Sequence, residues 1–277
     1  MKILSKKIIA DSFGIRIVKL TLSSFEISRK ARAGQFVVVM VSEKGERVPL
    51  TIVDSDAQAG TIEIIFQEAG LTTKVLGSLG AGDNLYALVG PLGRATEIKE
   101  YGNVILIGGG VGIAEIYPVA KSLKQAGNHL TVIIGAKTKE LLILENELKS
   151  LSDKIYVMTD DGSYGEKGFT TTILERLLTQ DKYNLVYAVG PLPMMKRAAF
   201  VCQPFNIKTI VSLNALMVDA TGMCGCCRVT VKGEIKFSCV DGPEFEADTI
   251  DWQELENRNR MYLDKEQHAC KLNFQRE

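Results

Sequence analysis

Three cysteines stand within four residues in the stretch VDATGMCGCCRV: Cys224, Cys226 and Cys227, with Cys239 twelve residues beyond Cys227. From Cys224 the spacing is C-x2-C-x11-C. Thiolates so spaced bind soft metals, and a fourth donor completes either an iron–sulfur site or a closed tetrahedral zinc site. Five residues before Cys224 stands Asp219. With cysteine there, the run would read C-x4-C-x2-C…C, the spacing of plant-type [2Fe–2S] centres. The fourth donor is therefore Asp219, the adjacent Cys226 or the remote Cys270. Cys226 and Cys227 are neighbours and cannot easily aim at one iron pair. Cys202 lies in an apolar helical stretch and reads as core.

A second chemistry-bearing stretch is VILIGGGVGIAEIYP, where Gly108, Gly109, Gly110 and Gly112 separate a strand from a helix. Bare backbone there admits a phosphate to the helix N-terminus, where free N–H groups and the helix dipole favour an anion. The G-x-G-x-x-G fingerprint is absent, and Gly-Ala-Lys rather than an acid follows Ile134. Two further glycine-bearing segments, TDDGSYGEKG and GPLPMM, follow later strands. Three such loops at one sheet edge suit an extended nucleotide. Arg47, in RVPLT, has the chemistry to pair a pyrophosphate, with Thr51 four residues on. Gly70, Thr72 and Thr73 open a short helix whose N-terminus suits the same group.

The elements that position these residues follow from periodicity. Residues 1–97 alternate short Val-, Ile- and Phe-rich runs (14–21, 35–41, 61–67, 84–89) with turn signals, which predicts a small antiparallel β-barrel with one helix near 72–78. Residues 98–213 alternate strands (104–107, 130–134, 155–158, 185–189, 209–213) with helices (113–125, 140–151, 170–178, 194–201). That alternation predicts a doubly wound parallel sheet. Residues 214–277 hold the cysteine loop, a hairpin pairing 228–231 with 235–239, and a charged tail opened by Trp252. The fold class is thus mixed β and α/β: barrel, nucleotide domain, and a small metal-binding segment.

Composition narrows the function classes. The 277 residues are 46% hydrophobic and 24% charged, enough for real cores. Lys plus Arg equals Asp plus Glu at 33 each, so no basic excess points to nucleic acid. The N-terminus lacks the pattern of a signal peptide, and no apolar run approaches the roughly 20 residues of a membrane span. The expectation is a cytoplasmic chain, where clustered cysteines bind metal more often than they form disulfides.

The order barrel, glycine loop, cysteine loop resembles the ferredoxin–NADP reductase superfamily. Within it, the chain is most similar to the electron-transfer subunits of NAD-dependent dihydroorotate dehydrogenase and of electron-bifurcating NADH-dependent reduced ferredoxin:NADP oxidoreductase. The motifs carrying the resemblance are RVPLT, FQEAGLTT, VGPLG, GGGVGIAEIYP, GAKTKE, TDDGSYGEKG, GPLPMM and the cysteine loop, and they cover nearly the whole chain. The resemblance implies FAD, NAD(H) and a [2Fe–2S] cluster. Arg47, Pro49, Leu50 and Thr51 match the flavin motif, with Thr51 near the flavin N5 edge. Gly70, Thr72 and Thr73 match the second FAD stretch, where Thr72 replaces a more usual glycine. Gly109, Gly110 and Gly112 match the dinucleotide loop, and Asp160, Asp161, Gly190 and Met194 line the same nucleotide. The bifurcating subunits also carry an aspartate at the position of Asp219, which implies the ligand set Asp219, Cys224, Cys227 and Cys239.

The resemblance further implies hydride exchange between nicotinamide and flavin with no side chain acting as acid or base. It implies a larger flavin and iron–sulfur partner subunit, with ferredoxin served indirectly. Asp160 and Asp161 favour NAD over NADP, while Lys137 and Lys139 pull the other way. The competing readings are a dihydroorotate dehydrogenase subunit, a self-sufficient ferredoxin reductase, and a non-enzymatic nucleotide-binding regulator with structural zinc.

Overall fold

The computed structural model describes residues 1–263 and 265, so Cys270 lies outside the described residues. The N-terminal sheet comprises β1 (Ile3–Ser12), β2 (Ile15–Ser23), β3 (Phe36–Met40), β4 (Val48–Asp56), β5 (Thr61–Gln67) and β6 (Ala87–Leu92). A short helix α1 (Phe25–Ser28) and α2 (Leu71–Ser78) interrupt it. The strand order is β1-β2-β5-β4-β3-β6, antiparallel throughout. The two ends meet: Lys2 bridges Asn84, Ile3 N–H donates to Asp83 O at 2.9 Å and Leu85 N–H to Met1 O at 2.8 Å. Closure removes the open edges that a lone sheet exposes. Alternate residues Val18, Leu20 and Leu22 of β2 and Ile62, Ile64 and Phe66 of β5 fill the interior.

Beyond the barrel come β7 (Asn103–Gly109), α3 (Gly112–Gln125), β8 (His129–Ala136), α4 (Glu145–Leu151), β9 (Lys154–Thr159), β10 (Glu166–Lys167), α5 (Thr170–Gln180), β11 (Leu185–Val189), α6 (Leu192–Cys202) and β12 (Lys208–Ser212). The core of this sheet is parallel with order β9-β8-β7-β11-β12. Val104 and Leu106 of β7 pack toward α3 and α4, whereas Ile105 and Ile107 pack toward α5 and α6. Both faces are covered, as a doubly wound sheet requires. Strand order reverses direction between β7 and β11, and ligands of such sheets bind in the crevice at that point.

The C-terminal segment adds β13 (Arg228–Val231), β14 (Glu234–Phe237), β15 (Glu244–Glu246) and α7 (Trp252–Asn259). It is fused to the nucleotide domain: β15 pairs antiparallel with β12, and Cys227, Val229, Cys239 and Phe245 share one core with Met195 and Ala198 of α6. Phe36 and Val38 of the barrel belong to the same core. The Tyr187 hydroxyl donates to Glu244 at 2.7 Å and Thr96 donates to the same oxygen, tying β11, β15 and the interdomain linker together. Burial raises the Glu244 carboxyl above its ordinary value.

The structure departs from the sequence reading in several places. β1 is a full strand that the reading leaves unassigned. The last barrel strand runs Ala87–Leu92 rather than 84–89, with Asn84 retained as the closing bridge. The helix expected over 140–151 breaks at Leu144, which takes a left-handed φ of 55°, leaving a 3₁₀ turn at Lys139–Leu141 and α4. The last helix of the sheet starts two residues early, at Leu192, behind Pro191. Among the described residues no helix is long and apolar enough to cross a membrane.

Candidate functional site: a nucleotide cleft beside a cysteine loop

The glycine loop lies at the switch point. Gly110 follows the end of β7 with φ +57°, and its N–H donates to Gly135 O at 2.8 Å, which turns the chain into α3. Gly112 is required by close approach, because a Cβ there would stand 2.6 Å from Val189 O. A Cβ on Gly190 would meet Gly109 Cα at 3.1 Å, so the ends of β7 and β11 touch through bare backbone. A cleft of about 630 Å³ opens over this contact. It is lined by the glycine loop, by Gly135–Lys137 after β8, by Asp160 after β9 and by Gly190 and Met194 after β11. The barrel closes its other side with Ile15, Ile17 and Gln67.

Of the residues expected around the nucleotide, Gly109, Gly110, Gly112, Asp160, Gly190 and Met194 line this cleft. Asp161 turns into its own loop instead. Its carboxylate accepts from Ser163 N–H at 2.9 Å and Ser163 Oγ at 2.7 Å, bonds that hold it below the usual carboxylate range. Lys137 faces the cleft, whereas the Lys139 ammonium sits over the Tyr164 ring at 5.2 Å.

Sequence reasoning missed Glu115. It sits in the first turn of α3, lines the cleft and has the Thr51 hydroxyl beside its carboxyl. Burial pushes this carboxyl up to about 7, partly opposed by Thr51. The acid stands inside the motif GGGVGIAEIYP, but nothing in a helical pattern tells which first-turn residue faces a crevice.

Arg47, Pro49, Leu50 and Thr51 run along the start of β4, where Thr51 pairs Phe36 and Pro49 pairs Val38 across β3. Gly70 caps α2, and the Thr73 hydroxyl accepts from the Ala69 and Gly70 N–H groups at 3.0 Å each. A Cβ at Gly70 would meet nothing within 4 Å, so this helix start is open. The two polar groups expected to face a pyrophosphate each hold a carboxylate: Arg47 pairs with Asp219, and the Thr72 hydroxyl donates to Glu46.

The cysteine loop has little regular structure before β13. Ala220, Gly222 and Gly225 all take positive φ, which folds the chain back on itself. Cys227 and Cys239 flank the β13–β14 hairpin, so their backbones meet: Ser238 N–H donates to Cys227 O at 3.0 Å. Their sulfurs stand 3.2 Å apart and both are buried. Burial and the neighbouring thiol push Cys239 up to about 12. Cys224 is exposed, and backbone donors, chiefly from Cys226, lower its thiol. The Cys226 carbonyl accepts from Arg258 of α7 at 3.0 Å. Asp219 accepts from Arg47 and Thr221. Among the described residues no three acidic, thiol or imidazole side chains converge closely enough to hold one ion. One thiol pair is thus brought together, with Asp219 and Cys224 on the loop that leads to it. Three thiols and a carboxylate are a donor set that suits an iron–sulfur centre. Cys202 is buried in α6, as core.

Comparison with known proteins gives these places a family. The family model for the iron–sulfur cluster binding domain of dihydroorotate dehydrogenase B matches residues 214–251, and that for the oxidoreductase NAD-binding domain matches 106–199. A dihydroorotate dehydrogenase B (NAD(+)) electron transfer subunit homolog from Thermotoga maritima is 47% identical, over 92% of this chain and 89% of that protein. The electron transfer subunit of the Geobacillus thermodenitrificans enzyme is 32% identical, over 90% of this chain and 97% of that one. Among solved structures, a chain described with the NADH-dependent reduced ferredoxin-NADP oxidoreductase aligns at 44% identity. It has a TM-score of 0.92 and covers 99% of this chain and 97% of that one. Amycolatopsis cytochrome P450 reductase GcoB, at 20% identity and TM-score 0.63, shares the fold. This chain, an oxidoreductase component with NAD-binding and iron–sulfur cluster-binding domains on a ferredoxin–NADP reductase-like fold, belongs to the family of dihydroorotate dehydrogenase B electron-transfer subunits and their homologues.

Proposed function

We propose that the chain is the FAD- and [2Fe–2S]-bearing subunit that passes electrons between NAD(H) and a larger flavin and iron–sulfur partner, in electron-bifurcating ferredoxin:NADP oxidoreduction. The observation that carries this reading is the Arg47–Asp219 contact, which brings the cysteine loop against the strand that would hold a flavin. Residues of β4 and the start of α2 would hold the flavin, with Arg47 joining that strand to the cysteine loop. FAD, when bound, accepts hydride from NADH and releases electrons singly to the cluster.

The chain's own residues supply position. Arg47, Pro49, Leu50 and Thr51 would hold the flavin along β4, and Gly70, Thr72 and Thr73 would hold its pyrophosphate at the start of α2. Arg47 must then leave Asp219, and Thr72 must leave Glu46. Gly109, Gly110 and Gly112 would admit the dinucleotide phosphates, Gly190 and Met194 would flank the nicotinamide end, and Asp160 would border the ribose, while Asp161 holds the loop beside it through Ser163. Asp219, released from Arg47, becomes available with Cys224, Cys227 and Cys239 as a cluster ligand. A carboxylate is a harder donor than thiolate, and the exchange shifts the cluster's potential. Asp160 in the cleft favours NAD by opposing a 2′-phosphate. Reduced thiols in the loop suit a cytoplasmic protein.

Replacing Arg47 by alanine tests the flavin assignment. Flavin retention should drop after gel filtration, and full occupancy in the variant would contradict it. Titration should give a lower dissociation constant for NADH than for NADPH; the reverse order overturns the NAD assignment. The second reading, a dihydroorotate dehydrogenase subunit, is favoured by the names of the relatives. Asp219 in place of cysteine speaks against it.

A further inference from the structure

Two buried donors beside the cysteine loop have no role in the account so far. Among the described residues, Ser238 Oγ and Arg258 Nε are buried and meet no hydrogen-bond partner. Burying a donor unpaired costs about 1–3 kcal/mol, and more for a charged group, so each such donor calls for an explanation. Both stand at the thiol pair. Ser238 precedes Cys239 in the chain, and its N–H donates to Cys227 O at 3.0 Å. Arg258 Nη2 donates to the Cys226 carbonyl at 3.0 Å, on the peptide group that leads into Cys227.

Helix α7 holds the guanidinium in that place. Its Leu255 is buried in the core that contains Cys227 and Cys239. Arg258 and Asn259 follow three and four residues later, on the same helix face. Asn259 Oδ1 accepts from Leu216 N–H at 3.3 Å, and Asn259 Nδ2 donates to Asn214 O at 3.2 Å. The helix therefore grips the cysteine loop at its entry and again at Cys226. The neighbouring cations are committed to carboxylates: Lys236 to Glu234 at 2.7 Å, Arg94 to Asp241 at 3.3 Å, and Arg47 to Asp219. Arg228 is exposed. Among the described residues no carboxylate pairs with Arg258, whose contact is the Cys226 carbonyl.

We propose that Arg258 and Ser238 are positioning residues of the iron–sulfur centre, offsetting its negative charge and raising its reduction potential. The role rests on the cluster reading above. Three thiolates and a carboxylate make such a centre an anion, and an electron accepted there adds negative charge. Arginine is not deprotonated in proteins, so Arg258 is a fixed positive charge one peptide group from the ligand Cys227. A fixed cation and a hydroxyl donor both favour the more negative, reduced form, because charge and hydrogen bonds around the sulfur ligands set the potential.

The test is the midpoint potential of the cluster, read by redox titration of its electron paramagnetic resonance signal. It is made on the anaerobically purified full chain as wild type, Arg258→Gln, Arg258→Lys and Ser238→Ala, with iron and sulfide measured in each. Arg258→Gln should make reduction about tenfold less favourable, ~59 mV lower for one electron. Ser238→Ala should shift the potential in the same direction and by less. Arg258→Lys keeps the charge and should return the potential toward wild type. Unchanged potentials in iron-loaded Arg258→Gln and Ser238→Ala overturn the role. A lysine variant shifted as far as the glutamine variant assigns Arg258 to packing and also overturns it. If Arg258→Gln holds no iron, iron regained in Arg258→Lys supports the charge role, and iron lost in both contradicts it. Wild-type protein that carries zinc and gives no iron–sulfur signal removes the cluster reading first, and this role with it.

Discussion

The nucleotide cleft and the cysteine loop are built by opposite means. The cleft is made of backbone: bare glycines at the ends of β7 and β11 touch each other, and the parallel sheet holds them there. The cysteine loop is made of side chains on irregular chain. Only its hairpin-borne pair, Cys227 and Cys239, is in place, while Asp219 is engaged by Arg47 of the barrel. A phosphate needs a cradle of N–H groups, which secondary structure supplies in advance. A metal centre needs deprotonated donors, which repel one another until the metal arrives. One site is therefore built from backbone and the other from side chains on an irregular loop.

The largest break in that comparison should come from Gly112→Ala. Its Cβ would strike the Val189 carbonyl, and backbone cannot move aside as a side chain can. A loss of about 3 kcal/mol is expected by denaturant titration, together with loss of NADH binding. On the other side, Cys224→Ser should remove the cluster while leaving the metal-free fold within ~0.5 kcal/mol of wild type, because Cys224 is exposed. Iron analysis beside a melting curve separates the two effects.

Glu115→Gln sharpens the contrast from within the cleft. The Glu115 carboxyl rises from 4.5 to about 7 on folding, so the folded protein binds the extra proton. The stability this provides is present below the unfolded value and is lost as pH rises through 7. The variant should therefore be more stable than wild type at pH 8, by about 2 kcal/mol, and close to it at pH 4.5. Equal differences at both values would contradict the burial. Tyr187→Phe removes the hydroxyl that bonds Glu244 and should cost about 1 kcal/mol in a melting experiment. Arg94→Ala, at an exposed pair with Asp241, should cost less than about 0.5 kcal/mol.

The sequence reveals what is periodic or local. The alternation in 61–67 and the buried run at 104–107 give their strands directly, and the glycines between 108 and 112 mark the turn at the switch point. β1 is hidden because ILSKKIIADS interrupts its apolar alternation with paired lysines. The break at Leu144 depends on a backbone conformation that leucine rarely takes. The Arg47–Asp219 pair joins residues 172 apart, so no local pattern could report it. Glu115 was hidden for the same reason: its partner Thr51 lies on another domain.

The account rests most heavily on the cysteine loop's being an electron relay. The deciding measurement is iron and acid-labile sulfide content, with electron paramagnetic resonance of the anaerobically purified, dithionite-reduced protein beside Asp219→Ala. Two irons, two sulfides and an S = 1/2 signal that the substitution alters are the expected result. Zinc in the loop with no such signal would contradict the relay and leave a nucleotide-binding protein with a structural metal.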